Sequence, residues 1–110
     1  MMNYEKAQEY YAYKGIKENP IILDFSKAQY LSEIHKVLKV GFGLPDYYGE
    51  NPDALWDLLD GLFNEMGDVV AQIYGFNGLD KGLKRATLTL LEVLEDVHNK
   101  TPNFSYKIID

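Results

Sequence analysis

Tyr47-Tyr48-Gly49-Glu50-Asn51-Pro52-Asp53-Ala54-Leu55-Trp56-Asp57 decides how this chain reads. It is an aromatic loop that runs into a helix. Asn51 is a favourable N-cap, and Pro52 suits the first helical position because its missing N–H would have no intrahelical partner there. Leu55, Leu58, Leu59 and Leu62 then recur at the i, i+3, i+4, i+7 spacing of a core-facing stripe. Asp53, Asp57 and Asp60, four and three apart, stack along another side. Trp56 borders that row, and Gly61 falls near the helix end. Asp53 lies in the first turn, where the helix dipole favours a negative charge. Asp57 and Asp60 lie further along and repel it mildly. Acids on a helix face are commonly just solvated, so the stripe by itself has no unique geometric signature.

The surroundings sharpen the pattern. Residues 40–80 hold no Lys or Arg but eight acids: Asp46, Glu50, Asp53, Asp57, Asp60, Glu65, Asp68 and Asp80. The other nine acids and all eleven Lys and Arg lie elsewhere, so the centre carries −8, the remainder +2 and the chain −6. A concentrated negative field favours a positively charged partner and speeds its encounter. Nucleic acid is excluded as the partner, because phosphate binding needs a basic footprint.

Working outward, Ile21 to Phe25 is a short apolar strand. Ser26 is a candidate cap, with Gln29 as its capping-box partner, for a helix running to about Val40. Leu31, Ile34, Val37 and Leu38 form its apolar stripe, and Gly41 to Pro45 ends it. Asp68 to Tyr74 reads as a second strand. A long helix follows from Asp80 to about His98, with Leu83, Ala86, Leu90, Leu94 and Val97 inward. Thr101-Pro102-Asn103 stops it, and the alternation from Phe104 to Asp110 is a third strand. Strands separated by helices predict an α/β fold: a single small domain with a three-stranded parallel sheet packed with three to four helices. Residues 1–19 form an extension that packs on the sheet or serves oligomerisation; Tyr4, Ala7 and Tyr11 there have the spacing of a short helix. The domain proper spans 20–110.

A chain of 110 residues with 46% apolar content is long enough for one core. With no cysteine, disulfides and thiolate metal sites are excluded, in keeping with a reducing compartment. No apolar run approaches the roughly 20 residues needed to cross a bilayer, and the polar start is unlike a signal peptide. The expected location is cytoplasmic, with no membrane partner. An enzyme is disfavoured. The two histidines, His35 and His98, lie far in sequence from the acids, and there is no phosphate-binding glycine loop or nucleophile elbow. Asp53 and Asp57 as a Mg²⁺ or carboxylate pair is the residual catalytic reading; no cofactor or metal is expected.

Leu44 to Asp57 closely resembles the signature of the barstar family, intracellular inhibitors of the secreted bacterial ribonuclease barnase. The likeness extends more weakly from Ile21 to Asp110. It implies a barstar-like fold and an inhibitor that plugs a basic ribonuclease cleft, its aspartates imitating RNA phosphates. On that resemblance Asp57 is the central anchor, Asp53 supports it from one turn earlier, and Tyr47 packs on the enzyme's catalytic histidine. Gly49, Asn51, Trp56 and Gly61 fall at contact positions, and Asp96 aligns with a glutamate contact. Asp60 adds a charge at the stripe's end. Leu62 stands where barstar has a tryptophan, Leu58 replaces a cysteine, and Pro52 a leucine. Rim changes of this kind alter partner choice more readily than binding mode. The implied partner is therefore a basic extracellular ribonuclease, barnase-like, or a related toxin against which the chain acts as an immunity or antitoxin protein through the same face.

Overall fold

Alternating exposure along three short strands sets the architecture. β1 (Ile21–Asp24) and β2 (Val69–Tyr74) bury every second residue, and β3 (Phe104–Ile108) buries Phe104 at its start. The computed structural model describes the backbone of residues 4–110 and the side chains of residues 8–110. The strands form one parallel sheet in the order β1-β2-β3, with Ile21 beside Ala71 and Val69 beside Phe104. That register gathers Ile21, Leu23, Val69, Ala71, Ile73 and Phe104 on the buried face. The opposite face carries Ile22, Val70, Gln72, Tyr74 and Lys107, none of them buried. Parallel sheets are usually covered on both sides; this one is amphipathic and packs its helices against one.

Those helices are α2 (Leu31–Phe42), α3 (Pro52–Leu59) and α4 (Lys81–Lys100), preceded by α1 (Tyr4–Tyr11) in the extension. The α/β fold, the parallel sheet and the element order follow the sequence-based expectation. Three rings close the core where elements meet: Phe63 stacks on Phe104 at 4.4 Å, and Phe42, at the end of α2, meets both edge-on at 6.2 and 6.0 Å.

Some boundaries differ from expectation. α2 begins at Leu31, because Asp24 Oδ1 accepts the Ser26 N–H at 2.9 Å and holds Ser26 in a turn. Glu33, in the first turn, instead folds back on the entry to the helix, its carboxylate accepting the N–H groups of Gln29 and the N-cap Tyr30 at 2.9 and 3.1 Å. The helix also runs through Gly41 to Phe42 and stops at Gly43, which adopts the left-handed conformation. A Cβ on Gly43 would collide with the Gly15 backbone, which crosses at van der Waals contact. In α4, Thr87 is buried while Ala86 is only half-buried. Among the described residues, no helix is long and apolar enough to cross a membrane.

The extension meets the sheet only at its end, where Asn19 Oδ1 accepts the Val70 N–H of β2 at 3.2 Å and Glu18 accepts the Ile22 N–H of β1 at 3.3 Å; its tyrosines dock elsewhere. Tyr10 and Tyr11 contact Tyr47, and Tyr13 bonds to α3. The side chains of Tyr4 and Ala7 lie outside the described residues, although the backbone from Tyr4 is helical as the spacing suggests.

Candidate functional site

The site is built on α3 and the loop before it. Asn51 secures both: its Oδ1 accepts the Ala54 N–H at 2.8 Å, and its Nδ2 donates to the Gly49 carbonyl at 3.2 Å. One side chain therefore caps the helix and closes the loop. Between those contacts Glu50 has a φ of 53°, a left-handed conformation that costs a non-glycine residue on the order of 1 kcal/mol or more. Leu55 and Leu59 are fully buried and Leu58 nearly so. Each fully buried leucine contributes on the order of 1.5–3 kcal/mol, which fixes the orientation of the helix. Its end comes sooner than the leucine spacing suggested. Asp60 is extended and Gly61 takes a φ of 81°, so Leu62 lies beyond the helix and is half-buried.

Beneath the loop lies a buried polar contact that sequence reasoning missed. Tyr48 OH lies 2.6 Å from His35 Nδ1, both groups almost fully buried. Burial holds the His35 imidazolium below its ordinary value, with Glu50 opposing, and burial followed by Glu50 pushes the Tyr48 phenol up. The phenol thus keeps its proton and shares a hydrogen bond with the imidazole, its direction set by the imidazole tautomer. This bond ties the loop to α2.

The aspartates differ sharply in their surroundings. Asp53 and Asp57 are exposed, and neither has an ion-pair partner among the described residues. Asp57 lines a cleft of about 410 Å³ together with Tyr47, Gly49, Ala54, Leu58 and Tyr13. Asp60 is paired with Lys100 Nζ at 2.7 Å, and the same ammonium sits 5.5 Å from the centre of the Trp56 ring. Asp46 is flanked by Lys14 at 3.2 Å and Lys39 at 3.7 Å. Asp80 caps α4 by accepting the Leu83 N–H. The field expected over residues 40–80 is therefore partly cancelled by lysines arriving from outside it. Glu50, Asp53, Asp57, Glu65 and Asp68 are exposed with no ion-pair partner among the described residues; of these, Asp53 and Asp57 share a face of α3, while Asp60 is a neutralised edge.

The predicted residues fall into two groups. Tyr47, Gly49 and Asp57 converge on the cleft, with Asn51 and Asp53 at its helix-start side. Trp56, Asp60 and Gly61 lie toward α4. Asp96 is exposed one turn before Lys100, on the same side of α4. No group of three or more His, Asp or Glu placed to hold a metal ion occurs among the described residues. Lys100, Lys14, Lys39 and His35 were not singled out in the sequence as parts of this region. The partners of His35, Lys14 and Lys100 lie 13, 32 and 40 residues away, and Lys39 reaches Asp46 across the turn that ends α2; no local spacing reports such pairs.

The family model described as Barstar (barnase inhibitor) matches residues 19–108. The chain belongs to the barstar family. A Bacillus subtilis (strain 168) protein named "Putative ribonuclease inhibitor YrdF" is 32% identical over 89 residues, covering 81% of this chain and 94% of that protein. In this barstar-family chain, residues 1–18 precede the matched region, and they include the tyrosines that touch the site.

Proposed function

We propose that the chain is a proteinaceous ribonuclease inhibitor that inserts α3 and the loop before it into a basic active site. The observation that carries this reading is the pair of exposed carboxylates Asp53 and Asp57, without ion-pair partners among the described residues and held on a helix whose other side is locked in the core. Carboxylates meeting arginines in a desolvated cleft form short charge-assisted hydrogen bonds. Their placement on a rigid helix limits the ordering cost of association. Tyr47 supplies apolar area beside them and helps exclude water. Family membership and the name of the Bacillus relative support the same direction. The barnase-like specificity, the contact roles of Gly49, Asn51, Trp56, Asp60, Gly61 and Asp96, and action in the cytoplasm belong to this proposal.

RNA cleavage by a guanyl-type ribonuclease, measured with increasing amounts of the purified protein, tests it. Wild type should inhibit stoichiometrically and Asp57→Ala should inhibit far less. Equal inhibition by the two would refute the decoy mechanism. A second target, a different basic toxin, is favoured by the rim: Lys100 sits on Trp56 and Asp60, placing a positive charge where a uniformly acidic edge was expected. Inhibition of such a toxin, with guanyl-type ribonucleases untouched, would select it.

A further inference from the structure

The segment just outside the family match does not trail into solvent. Tyr13 donates its hydroxyl to the Leu58 carbonyl at 2.6 Å, satisfying one of the carbonyls that the end of α3 leaves without an intrahelical donor. Lys14 donates its backbone N–H to the Gly43 carbonyl at 2.7 Å and pairs its side chain with Asp46. Tyr10 and Tyr11 pack on the Tyr47 ring, at centroid separations of 5.9 and 5.4 Å, and meet each other edge-on at 5.1 Å. Residues 10–14 are thus fastened to both the loop and the helix that carry the proposed site.

Two arrangements could result, a cover over the acids or an enlargement of the surface beside them. Exposure separates them. With the segment docked, Asp53 and Asp57 are still exposed and Tyr47 keeps 39% of its surface, while Tyr11 shows 64% of its own. Tyr13 forms a wall of the cleft that Asp57 lines, without filling it. The segment borders the carboxylates and leaves them open. Exposed tyrosines that cluster at the edge of a charged surface, already partly immobilised by one another, are the residue type that anchors protein interfaces at low ordering cost. Their faces also suit the guanidinium and ammonium groups of a basic partner.

We infer that residues 10–14 are part of the inhibitory surface itself: Tyr10 and Tyr11 extend the Tyr47 patch against the ribonuclease, and Tyr13 shapes the cleft in which Asp57 receives a cationic side chain of that partner. This rests on the proposed inhibitor function, and it makes the segment a specificity element lying outside the family-matched region.

The test is the binding kinetics of full-length wild type, Tyr11→Ala, Tyr13→Phe and Asp57→Ala with barnase and related guanyl-type ribonucleases, paired with hydrogen exchange of the amides of residues 10–14. Tyr11→Ala should dissociate about tenfold faster with an association rate changed less than about threefold, the behaviour of a contact made after encounter. Tyr13→Phe should show a smaller rise in the same direction. The amides of residues 10–14 should gain protection on complex formation. Unchanged dissociation of Tyr11→Ala, with Asp57→Ala impaired, would leave the inhibitor function standing and overturn the role of the segment. Tighter binding by Tyr11→Ala would overturn it in favour of a cover. Loss in Tyr11→Ala without loss in Asp57→Ala would overturn the decoy mechanism and keep the segment as an interface. Failure of wild type to bind any of these ribonucleases would overturn both.

Discussion

Asp57 and Asp60 are three residues apart on the same short segment, yet they live in different electrostatic worlds. Asp57 faces an open cleft and has no ion-pair partner among the described residues. Asp60 is held by Lys100, which reaches it from the last turn of α4. The same contrast repeats on the loop side, where Asp46 is flanked by two lysines. A run of acids in sequence is therefore not a run of acids on the surface. The fold pairs Asp46 and Asp60, on either side of Asp53 and Asp57, and leaves those two without an ion-pair partner among the described residues, which keeps negative potential on one turn of α3.

Mutagenesis can break this comparison. Asp57→Ala should weaken binding to the target ribonuclease by about 2 kcal/mol or more, roughly 30-fold, as expected for a central charged anchor. Asp60→Ala should cost less than about 1 kcal/mol in titration calorimetry, since its charge is already satisfied and exposed pairs contribute little. Comparable losses would erase the distinction.

The platform beneath the loop is the next most sensitive place. Tyr48→Phe removes the hydrogen-bond partner of His35 Nδ1 and leaves a buried polar nitrogen unpaired, so unfolding in urea should show a loss of about 1–3 kcal/mol. The same contact predicts a pH dependence. Because burial holds the folded-state imidazolium below its unfolded value of about 6.5, the associated stability is complete above that value and is lost as pH falls below it toward the folded value. Urea midpoints measured from pH 7.5 to 5 should fall for wild type and flatten in His35→Gln. A wild-type midpoint that rises on acidification would have the wrong sign. The smallest effect is expected at the neutralised edge. Lys100→Gln frees Asp60 and uncovers Trp56, costs at most about 1 kcal/mol of stability, and should speed association with a basic partner by a few fold.

The fold was legible wherever the signal is local. Asn51 and Pro52 announce the start of α3, the long helix was read from Asp80, which caps α4, and the strands were read from short apolar runs, with alternation in the last. α2 was misplaced because Ser26 and Gln29 match a capping box in sequence, but Asp24 engages Ser26 first and Glu33 supplies the cap. The leucine spacing carried the reading of α3 on to Leu62, past the extended Asp60 and the left-handed Gly61. In the candidate site, spacing put Asp53 and Asp57 on one face of α3, and Tyr47 entered through the family signature. Lys100 beside Asp60, Lys14 beside Asp46 and His35 beneath Tyr48 were not legible, since each pair is closed by tertiary packing.

Salt dependence of association gives the most direct test that unpaired carboxylates, and not the overall acidity of residues 40–80, drive recognition. Stopped-flow association rates of wild type, Asp57→Asn and Asp60→Asn with a guanyl-type ribonuclease should be compared across ionic strength. Wild type and Asp60→Asn should both slow steeply as salt is added, and Asp57→Asn should start slower and fall along a shallower slope. Identical slopes for Asp57→Asn and Asp60→Asn would contradict the account, because every acid in the stretch would then count alike.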